Sequence, residues 1–219
     1  MAETCLIVGA GPGIGQACAL AFAREGYDIA LIARHPERLV AQTTEIAWTT
    51  GRTARAYAAD AGDADTLKAA LQAARLELGP PRVLIYNVAS VQRARPAALD
   101  IEQLVREFRA NVAGALVCAQ SLVADMRVAG GGSLLFTGGG LADHPTADYA
   151  SLSLCKAALK SLTHTMAQEY GLYGIHVATV TVHGFVQQGT HFDPHLIAQS
   201  FIKLHRQPKG RFDIELVYR

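Results

Sequence analysis

Short apolar runs rich in β-branched and aliphatic residues alternate along the chain with longer stretches in which apolar residues recur at helical spacing. This alternation predicts parallel strands that are buried on both faces and separated by covering helices. The sequence therefore predicts an α/β protein with a doubly wound, seven-stranded parallel sheet and helices on both faces. The predicted strands span 4–9, 28–33, 53–59, 82–87, 133–137, 175–182 and 214–218. The predicted helices span 13–25, 36–50, 63–78, 100–129, 148–171 and 194–205.

Three of the predicted helices carry start signals. Pro36 and Pro194 stand at first helical positions, where the missing N–H of proline costs nothing. Asp100 and Gln103 form the pattern of a capping box, in which the carboxylate accepts from a backbone N–H and the amide reaches back. Because no linker or repeat divides the chain, we expect a single domain over 1–219.

The composition argues against several kinds of partner. With 20 Lys and Arg against 19 Asp and Glu the net charge is +1, so no nucleic-acid partner is predicted. Every apolar stretch is interrupted before the roughly 18 residues needed to cross a bilayer, so no membrane span is predicted. The first residues lack the basic segment of an export signal, which favours the cytoplasm. No metal site is predicted, and four separated cysteines are expected to be reduced core residues: Cys5, Cys18, Cys118 and Cys155.

A glycine-rich turn joins the first predicted strand to an alanine-rich helix. A phosphate can approach such a turn only where side chains are absent, and the helix N-terminus offers unpaired N–H groups and a positive dipole end. Placed at the start of a strand–helix–strand series, the turn predicts a dinucleotide site in a Rossmann fold. The predicted ligand-binding residues here are Gly9, Gly13, Ile14 and Gly15.

The end of the second predicted strand indicates which dinucleotide is bound. An acidic residue that would hold the ribose 2′-hydroxyl of NAD is missing, and the chain has Arg34 there instead. A guanidinium can pair with a 2′-phosphate through charge-assisted hydrogen bonds, so NADP is favoured over NAD. Arg38, one turn into the next helix, is a second candidate. The alternative is that Arg34 is only a solvated residue at a strand end.

The spacing of Gly9, Gly13 and Gly15 as G-x-x-x-G-x-G resembles the short-chain dehydrogenase/reductase superfamily, and the resemblance covers nearly the whole chain. It implies a nicotinamide-dependent oxidoreductase. By the same resemblance Asp60, which ends the third strand, contacts the adenine ring. Asn87, which follows the fourth strand, matches the second Asn of the N-N-A-G segment of the family and is expected to bind the cofactor.

The catalytic pattern of the family is matched only in part. Asn111 stands where the family keeps an Asn that holds a water relay, and Lys156 matches the Lys that binds the cofactor ribose. Four residues before that Lys the family has a Tyr, and this chain has Leu152. The Ser position falls at Gly139, near Thr137. The resemblance therefore implies an atypical member that lacks the Ser and the Tyr of the active site.

Other side chains are candidates for the missing proton donor. Tyr149, Ser153 and Lys156 fall on one face of a predicted helix and would form a shifted site. About 10 Å separates the first and the last along the helix axis, and Tyr149 is equally compatible with simple packing at a helix start. His144 and His183 are further candidates, because imidazole exchanges protons near neutral pH.

The segment after the sixth strand completes the predicted site. By resemblance to the family, Thr190 holds the nicotinamide carboxamide. The chain from there to the seventh strand is shorter than in family members that enclose their substrates. We therefore expect an open, incompletely lidded cavity for a small-molecule substrate.

Two hypotheses of function remain from the sequence. The first is an NADP-dependent oxidoreductase that acts on an unknown small carbonyl or alcohol with an altered acid/base site. The second is a catalytically inactive NADP-binding sensor or scaffold. The helices at 100–129 and 148–171 carry more apolar surface than one sheet face can cover, as at 112–119. This surplus and the resemblance to the family predict a homodimer or homotetramer.

Overall fold

Seven parallel strands form one sheet in the computed structural model, which describes residues 2–219. The strands are β1 (Thr4–Val8), β2 (Asp28–Ala33), β3 (Ala54–Ala58), β4 (Pro81–Tyr86), β5 (Gly132–Gly139), β6 (Ile175–Val182) and β7 (Glu215–Tyr218). They are ordered β3-β2-β1-β4-β5-β6-β7, so the strand order reverses between β1 and β4. This is the topological switch point of a Rossmann fold, and the predicted architecture is confirmed.

Helices cover both faces of the sheet. They are α1 (Ile14–Arg24), α2 (Val40–Thr50), α3 (Ala64–Leu78), α4 (Ile101–Phe108), α5 (Gly114–Val128), α6 (Ala150–Tyr170) and α7 (Pro194–His205). Two predicted helices are not continuous α-helices: a 3₁₀ turn at Pro36–Leu39 precedes α2, and a π-helical segment at Arg109–Ala113 joins α4 to α5. None of the helices in the described part of the chain is long and apolar enough to span a bilayer.

Long-range hydrogen bonds account for the π-helical segment. The hydroxyl of Tyr86, at the end of β4, donates to the carbonyl of Ala110. The side chain of Asn111 accepts from the Ser90 N–H at 2.7 Å and donates to the Ser90 carbonyl at 2.9 Å. These bonds tie the segment to the loop after β4. Helical periodicity cannot predict such a departure, because the partners lie more than 20 residues away in sequence.

The predicted capping box at the start of α4 is wrong in one half. Asp100 accepts from the Gln103 N–H at 2.7 Å, as expected of an N-cap. The Gln103 amide does not reach back; it donates at 3.1 Å to Glu107, which is fully buried. A buried carboxylate is costly unless it accepts hydrogen bonds, whereas water can satisfy the exposed N–H groups at the helix start. The Gln103 amide therefore donates to Glu107. Pro194 begins α7 and Pro36 begins the 3₁₀ turn, as predicted.

Alternate residues of the central strands pack on opposite sides of the sheet. Cys5 and Ile7 face the layer of α1, α2 and α7, whereas Leu6 and Val8 face the layer of α3, α5 and α6. Every residue of β1 is buried, which is why its sequence is continuously apolar after Thr4. All four cysteines are buried free thiols, as predicted.

The surplus apolar surface lies elsewhere than predicted. The segment 112–119 is mostly buried within the subunit: Leu116 and Val117 are partly buried, and four apolar residues are fully buried, namely Val112, Ala115, Cys118 and Ala119. Exposed apolar side chains of this region lie on α4 and α6 and at the end of α5, where Val128 is 91% exposed. Ile101, Val105, Phe108 and Leu154 are 67%, 39%, 38% and 46% exposed. The prediction missed them because it took a run of small apolar residues as surface.

Candidate functional site

The glycine-rich turn after β1 lies at the switch point and adjoins the loop after β4. Gly9 has φ +79°, and a Cβ there would lie 2.8 Å from the backbone of Asn87, so only glycine fits. Gly13 has φ +97°, and a Cβ there would meet no atom within 4 Å. A Cβ at Gly11 would likewise enter open space. The turn therefore leaves a cradle, an open space that side chains at these positions would fill. A phosphate can approach the backbone closely there.

The N-terminus of α1 faces this cradle. Gly13 is the N-cap residue, and within the described chain no side chain caps this helix start. The first-turn N–H groups of Ile14 and Gly15 are therefore available to an anion, and the helix dipole favours one. Residues and geometry here fit the pyrophosphate of a dinucleotide.

A cavity of about 690 Å³ lies on the β2–β3 side of the switch point. Arg34 and Arg38 line it at the end of β2 and in the following turn, and both side chains are exposed. Neither forms an ion pair with any described residue. Asp60 lines the same cavity at the end of β3. The structure thus brings together the three residues expected on the adenosine side.

Further polar residues line this cavity and were not predicted from the sequence, among them Gln42, Arg106 and Arg109. Gln42 on α2 is only 7% exposed, and its Oε1 has no hydrogen-bond partner in the described structure. Arg106 and Arg109 reach the cavity from α4 and the π-helical segment. No sequence signal distinguished them, because Gln42 approaches the cavity through the packing of α2, and the two arginines approach it through the packing of α4 and the π-helical segment beside the loop after β4. An unsatisfied buried acceptor at a cavity wall is a site for a ligand donor.

Asn87 links the turn to the central strands. Its Nδ2 donates to the Gly9 carbonyl at 3.2 Å, and its Oδ1 accepts from the hydroxyl of Thr137 on β5 at 2.8 Å. The amide is therefore held between both sides of the switch point. Asn87 also lines both this cavity and the next one, together with Pro12 and Ala89.

The second cavity has a volume of about 1320 Å³ and lies over the carboxyl ends of β4, β5 and β6. Lys156, Tyr149 and Leu152 line it, as does Gly139. None of the described residues that line this cavity carries a carboxylate. Its outer wall is the segment 184–188, where the ring of Phe185 is 88% exposed, so the cavity borders solvent as expected of an open site.

Lys156 is held deep in this cavity. The residue is 8% exposed, and its Nζ donates to the Thr137 carbonyl at 2.7 Å. Burial lowers the pKa of Lys156 to about 8. A Cβ at Gly139 would lie 3.7 Å from the Lys156 side chain, so a serine there would stand directly beside it.

The other sequence-predicted catalytic residues lie in different surroundings. Tyr149 lines the cavity but precedes α6, with φ −126° and ψ 47°. Ser153 does not line the cavity, and this residue is only 4% exposed. Its hydroxyl donates to the Tyr149 carbonyl at 2.9 Å and accepts from the Thr146 N–H at 3.3 Å. Asn111 is buried and bound to Ser90, as described above. The structure therefore brings Tyr149 and Lys156 to one cavity and leaves Ser153 behind its wall.

Thr190 lies outside both cavity linings. Its hydroxyl donates to the Gln187 carbonyl at 2.8 Å and accepts from the Phe192 N–H at 3.1 Å, so it stabilises a turn. The neighbouring residues Gln187 and Gln188 do line the second cavity. His144 and His183 also line it, with ring centroids 5.9 Å apart.

Comparison with known proteins assigns this geometry to a family. Residues 3–192 match the family model described as short chain dehydrogenase. The chain is 32% identical to 2-(S)-hydroxypropyl-CoM dehydrogenase 3 of Xanthobacter autotrophicus, over 96% of this chain and 84% of that protein. It is 28% identical to D-threitol dehydrogenase of Mycolicibacterium smegmatis, over 82% of this chain and 68% of that protein.

Solved structures show the same fold. A short-chain dehydrogenase from Rhodopseudomonas palustris superposes with a TM-score of 0.89 at 25% identity, covering 99% of this chain and 98% of that one. A metagenomic short-chain oxidoreductase in complex with NADP gives a TM-score of 0.90 at 22% identity, with coverages of 98% and 96%. The chain belongs to the short-chain dehydrogenase family, whose members are oxidoreductases that use NAD(P).

Proposed function

We propose that this protein is an NADP-dependent oxidoreductase that acts on a small carbonyl or alcohol with an altered acid/base site. The observation that carries the proposal is the arrangement of the two cavities, which meet at Pro12, Asn87 and Ala89 beneath the glycine-rich turn. An elongated dinucleotide fits such a pair of adjoining cavities, with its adenosine end in one and its nicotinamide end in the other. The bound cofactor would supply or accept a hydride.

The preference for NADP rests on the charges of the first cavity. Arg34 stands at the end of β2 where a carboxylate would select NAD, and Arg38 and Arg109 add positive charge to the lining of the same cavity. A 2′-phosphate placed there gains charge-assisted hydrogen bonds and meets no acidic residue at the end of β2. Asp60 remains available for the adenine ring, and the orphaned Oε1 of Gln42 offers an acceptor to a ribose or adenine donor.

On the nicotinamide side, Lys156 and Asn87 are the proposed cofactor-binding residues. The buried Lys156 ammonium is anchored on the Thr137 carbonyl and retains N–H donors for a ribose hydroxyl. Asn111, in the π-helical segment, is the proposed holder of a water relay. Thr190 is proposed as the carboxamide ligand, which requires its present turn bonds to open when the cofactor binds.

The acid/base chemistry is altered because Leu152 and Gly139 stand where the family has Tyr and Ser. Neither can donate a proton or hydrogen-bond a carbonyl oxygen, so another side chain of the second cavity must do so. Tyr149 lines that cavity and is the candidate from the shifted-site hypothesis, with Ser153 supporting its backbone. The substrate is proposed to be largely apolar and uncharged or anionic, because apolar side chains dominate the lining and no described lining residue carries a carboxylate.

A catalytically inactive NADP-binding sensor or scaffold is the second candidate. Leu152 in place of the proton donor favours it, since the retained glycines, Arg34, Asp60, Asn87 and Lys156 all serve cofactor binding. For either function we propose a cytoplasmic protein that self-associates as a homodimer or homotetramer. The four buried free thiols are compatible with a reducing compartment.

Cofactor titration tests the binding part of the proposal. NADPH is expected to bind more tightly than NADH in fluorescence titrations, and Arg34→Asp is expected to lower the affinity for NADPH by about 10- to 100-fold. Arg24→Asp is the matched control: it makes the same charge change on the exposed end of α1, outside both cavities. Equal affinities of the wild type for NADPH and NADH would contradict the cofactor assignment.

Turnover tests the catalytic part. A panel of ketones, aldehydes and quinones is expected to include a substrate that oxidises NADPH above background. If the shifted site supplies the proton, Tyr149→Phe abolishes turnover and leaves NADPH affinity unchanged. NADPH binding without turnover on any carbonyl would favour the sensor or scaffold.

A further inference from the structure

His183 and Asp143, which follow different strands, lie close together at the second cavity. This contact is not part of the catalytic pattern of the family. His183 follows β6 and lines the cavity with a side chain that is 18% exposed. Asp143 follows the 3₁₀ turn after β5. The His183 Nε2 is buried and lies 3.4 Å from the Asp143 Oδ2, and it has no hydrogen-bond partner among the described residues. The imidazole thus has one ring nitrogen turned to a carboxylate and away from solvent.

The Asp143 carboxylate is itself fixed. Lys160, on α6, donates to its Oδ1 at 2.7 Å and also contacts the Glu215 Oε1 of β7 at 2.9 Å. The hydrogen bond from Lys160 lowers the pKa of the Asp143 carboxyl below its ordinary range. The carboxylate is therefore negative at neutral pH, with Lys160 bound to one of its oxygens and His183 beside the other.

The second ring nitrogen of His183, Nδ1, lies beside Gly140, which has no side chain to cover it. A Cβ on Gly140 would lie 3.0 Å from Nδ1 and 3.1 Å from the adjacent ring carbon. With no side chain at Gly140, nothing from that residue separates Nδ1 from the cavity. The Asp143 contact favours the tautomer with its hydrogen on Nε2, which leaves Nδ1 to accept and donate the exchangeable proton.

Tyr149 has weaker support. The cation near its phenol is Arg93, whose guanidinium is exposed and paired with Asp148 at 2.8 Å. Lys156 follows Tyr149 by seven residues, about 10 Å along a helix. Imidazole needs no neighbouring cation, because its ordinary pKa already lies near neutrality. Of the titratable side chains that line this cavity, His183 is the one with a fixed charged partner behind it.

We propose that His183 is the general acid/base of the reaction and that Asp143 is its positioning residue. This inference rests on the proposed oxidoreductase function. In the reducing direction a bound reduced cofactor would supply the hydride for the carbonyl carbon and would be left oxidised. The protonated imidazole of His183 would give the carbonyl oxygen the proton on Nδ1, and solvent would return a proton to His183.

The pH dependence follows from the groups around the imidazole. Asp143 faces Nε2, the His144 ring stands edge-on at 5.9 Å, and Lys160 and Glu215 lie behind the carboxylate. Reduction requires the imidazolium, so kcat in this direction is expected to fall as pH rises.

The first experiment measures turnover in matched variants. His183→Gln is expected to lower kcat by about 10²-fold or more with unchanged NADPH affinity, whereas His195→Gln, on the exposed start of α7, leaves kcat unchanged. Added imidazoles are expected to restore turnover to His183→Ala, at rates that vary with the pKa of the imidazole added. Full activity of His183→Gln, or a loss confined to His144→Gln, would overturn the assignment.

The second experiment does not depend on turnover. Nitrogen-15 NMR of the imidazoles is expected to show neutral His183 as the Nε2–H tautomer, and Asp143→Asn is expected to reduce the population of that tautomer. A neutral Nδ1–H tautomer in the wild type would overturn the dyad. If the wild type oxidises NADPH with a carbonyl but His183→Gln does so equally well, only this inference fails. If no variant turns over, both the proposed function and the acid/base role fail.

Discussion

Replacing Lys156 with methionine is expected to stabilise the fold, because the site holds a buried cation at a cost. The drop in pKa from its ordinary value of 10.5 to about 8 corresponds to ~3 kcal/mol of free energy against the charged form in the folded chain. Methionine has a similar length and no charge. It loses the hydrogen bond from Nζ to the Thr137 carbonyl, a loss of ~1 kcal/mol. The net gain in the free energy of unfolding at pH 7 is therefore about 2 kcal/mol.

The gain is expected to depend on pH with a defined sign. Below pH 8 the ammonium is charged in both the folded and the unfolded chain, so the full cost is present in the wild type. Between about pH 8 and 10.5 the folded chain releases the proton first, and the unfolded chain binds more protons. The stability of the wild type therefore rises through this window, and the advantage of Lys156→Met disappears.

Urea unfolding at pH 7 and at pH 10 measures the effect. Lys160→Met is the matched control, because this lysine stands one turn further along α6 and pairs with Asp143 and Glu215. Its loss leaves carboxylates unpaired, so this variant is expected to be destabilised at pH 7. A Lys156→Met protein that is less stable than the wild type at pH 7, or a difference that does not change with pH, would refute the reasoning. A confirmed gain would show that Lys156 is kept for the site and at the expense of stability.

Two further predictions concern the altered site and the assembly. Leu152→Tyr combined with Gly139→Ser is expected to raise the rate of NADPH-dependent ketone reduction by about 10²-fold. The backbone at Gly139 is extended (φ −166°), so it accepts a side chain. No gain in rate despite intact NADPH binding would contradict the family alignment of these positions. Val105→Glu on the exposed face of α4 is expected to lower the oligomeric mass in light scattering at micromolar concentration. A wild type that is already monomeric under these conditions would refute the prediction of self-association.

The helical and strand patterns together determined most of the fold. Continuous apolar runs such as β1 are possible only in a sheet buried on both faces, and the seven strands lie within two residues of their predicted bounds. The glycine spacing was equally informative, because Gly9 packs against the backbone of Asn87 and no other residue fits there. These features are local or depend on backbone conformation, and a single sequence records both.

Only the tertiary structure decided which side chains meet. The π-helical segment arises because Tyr86 and Asn111 bond across more than 20 residues, and Gln42 and Arg109 reach the first cavity through helix packing. The contact of His183 with Asp143 joins residues 40 apart at the ends of two strands. The sequence predicts that the proton donor of the family is missing from position 152. Which group stands in its place depends on where parallel strands end beside one another, and that is a property of the folded sheet.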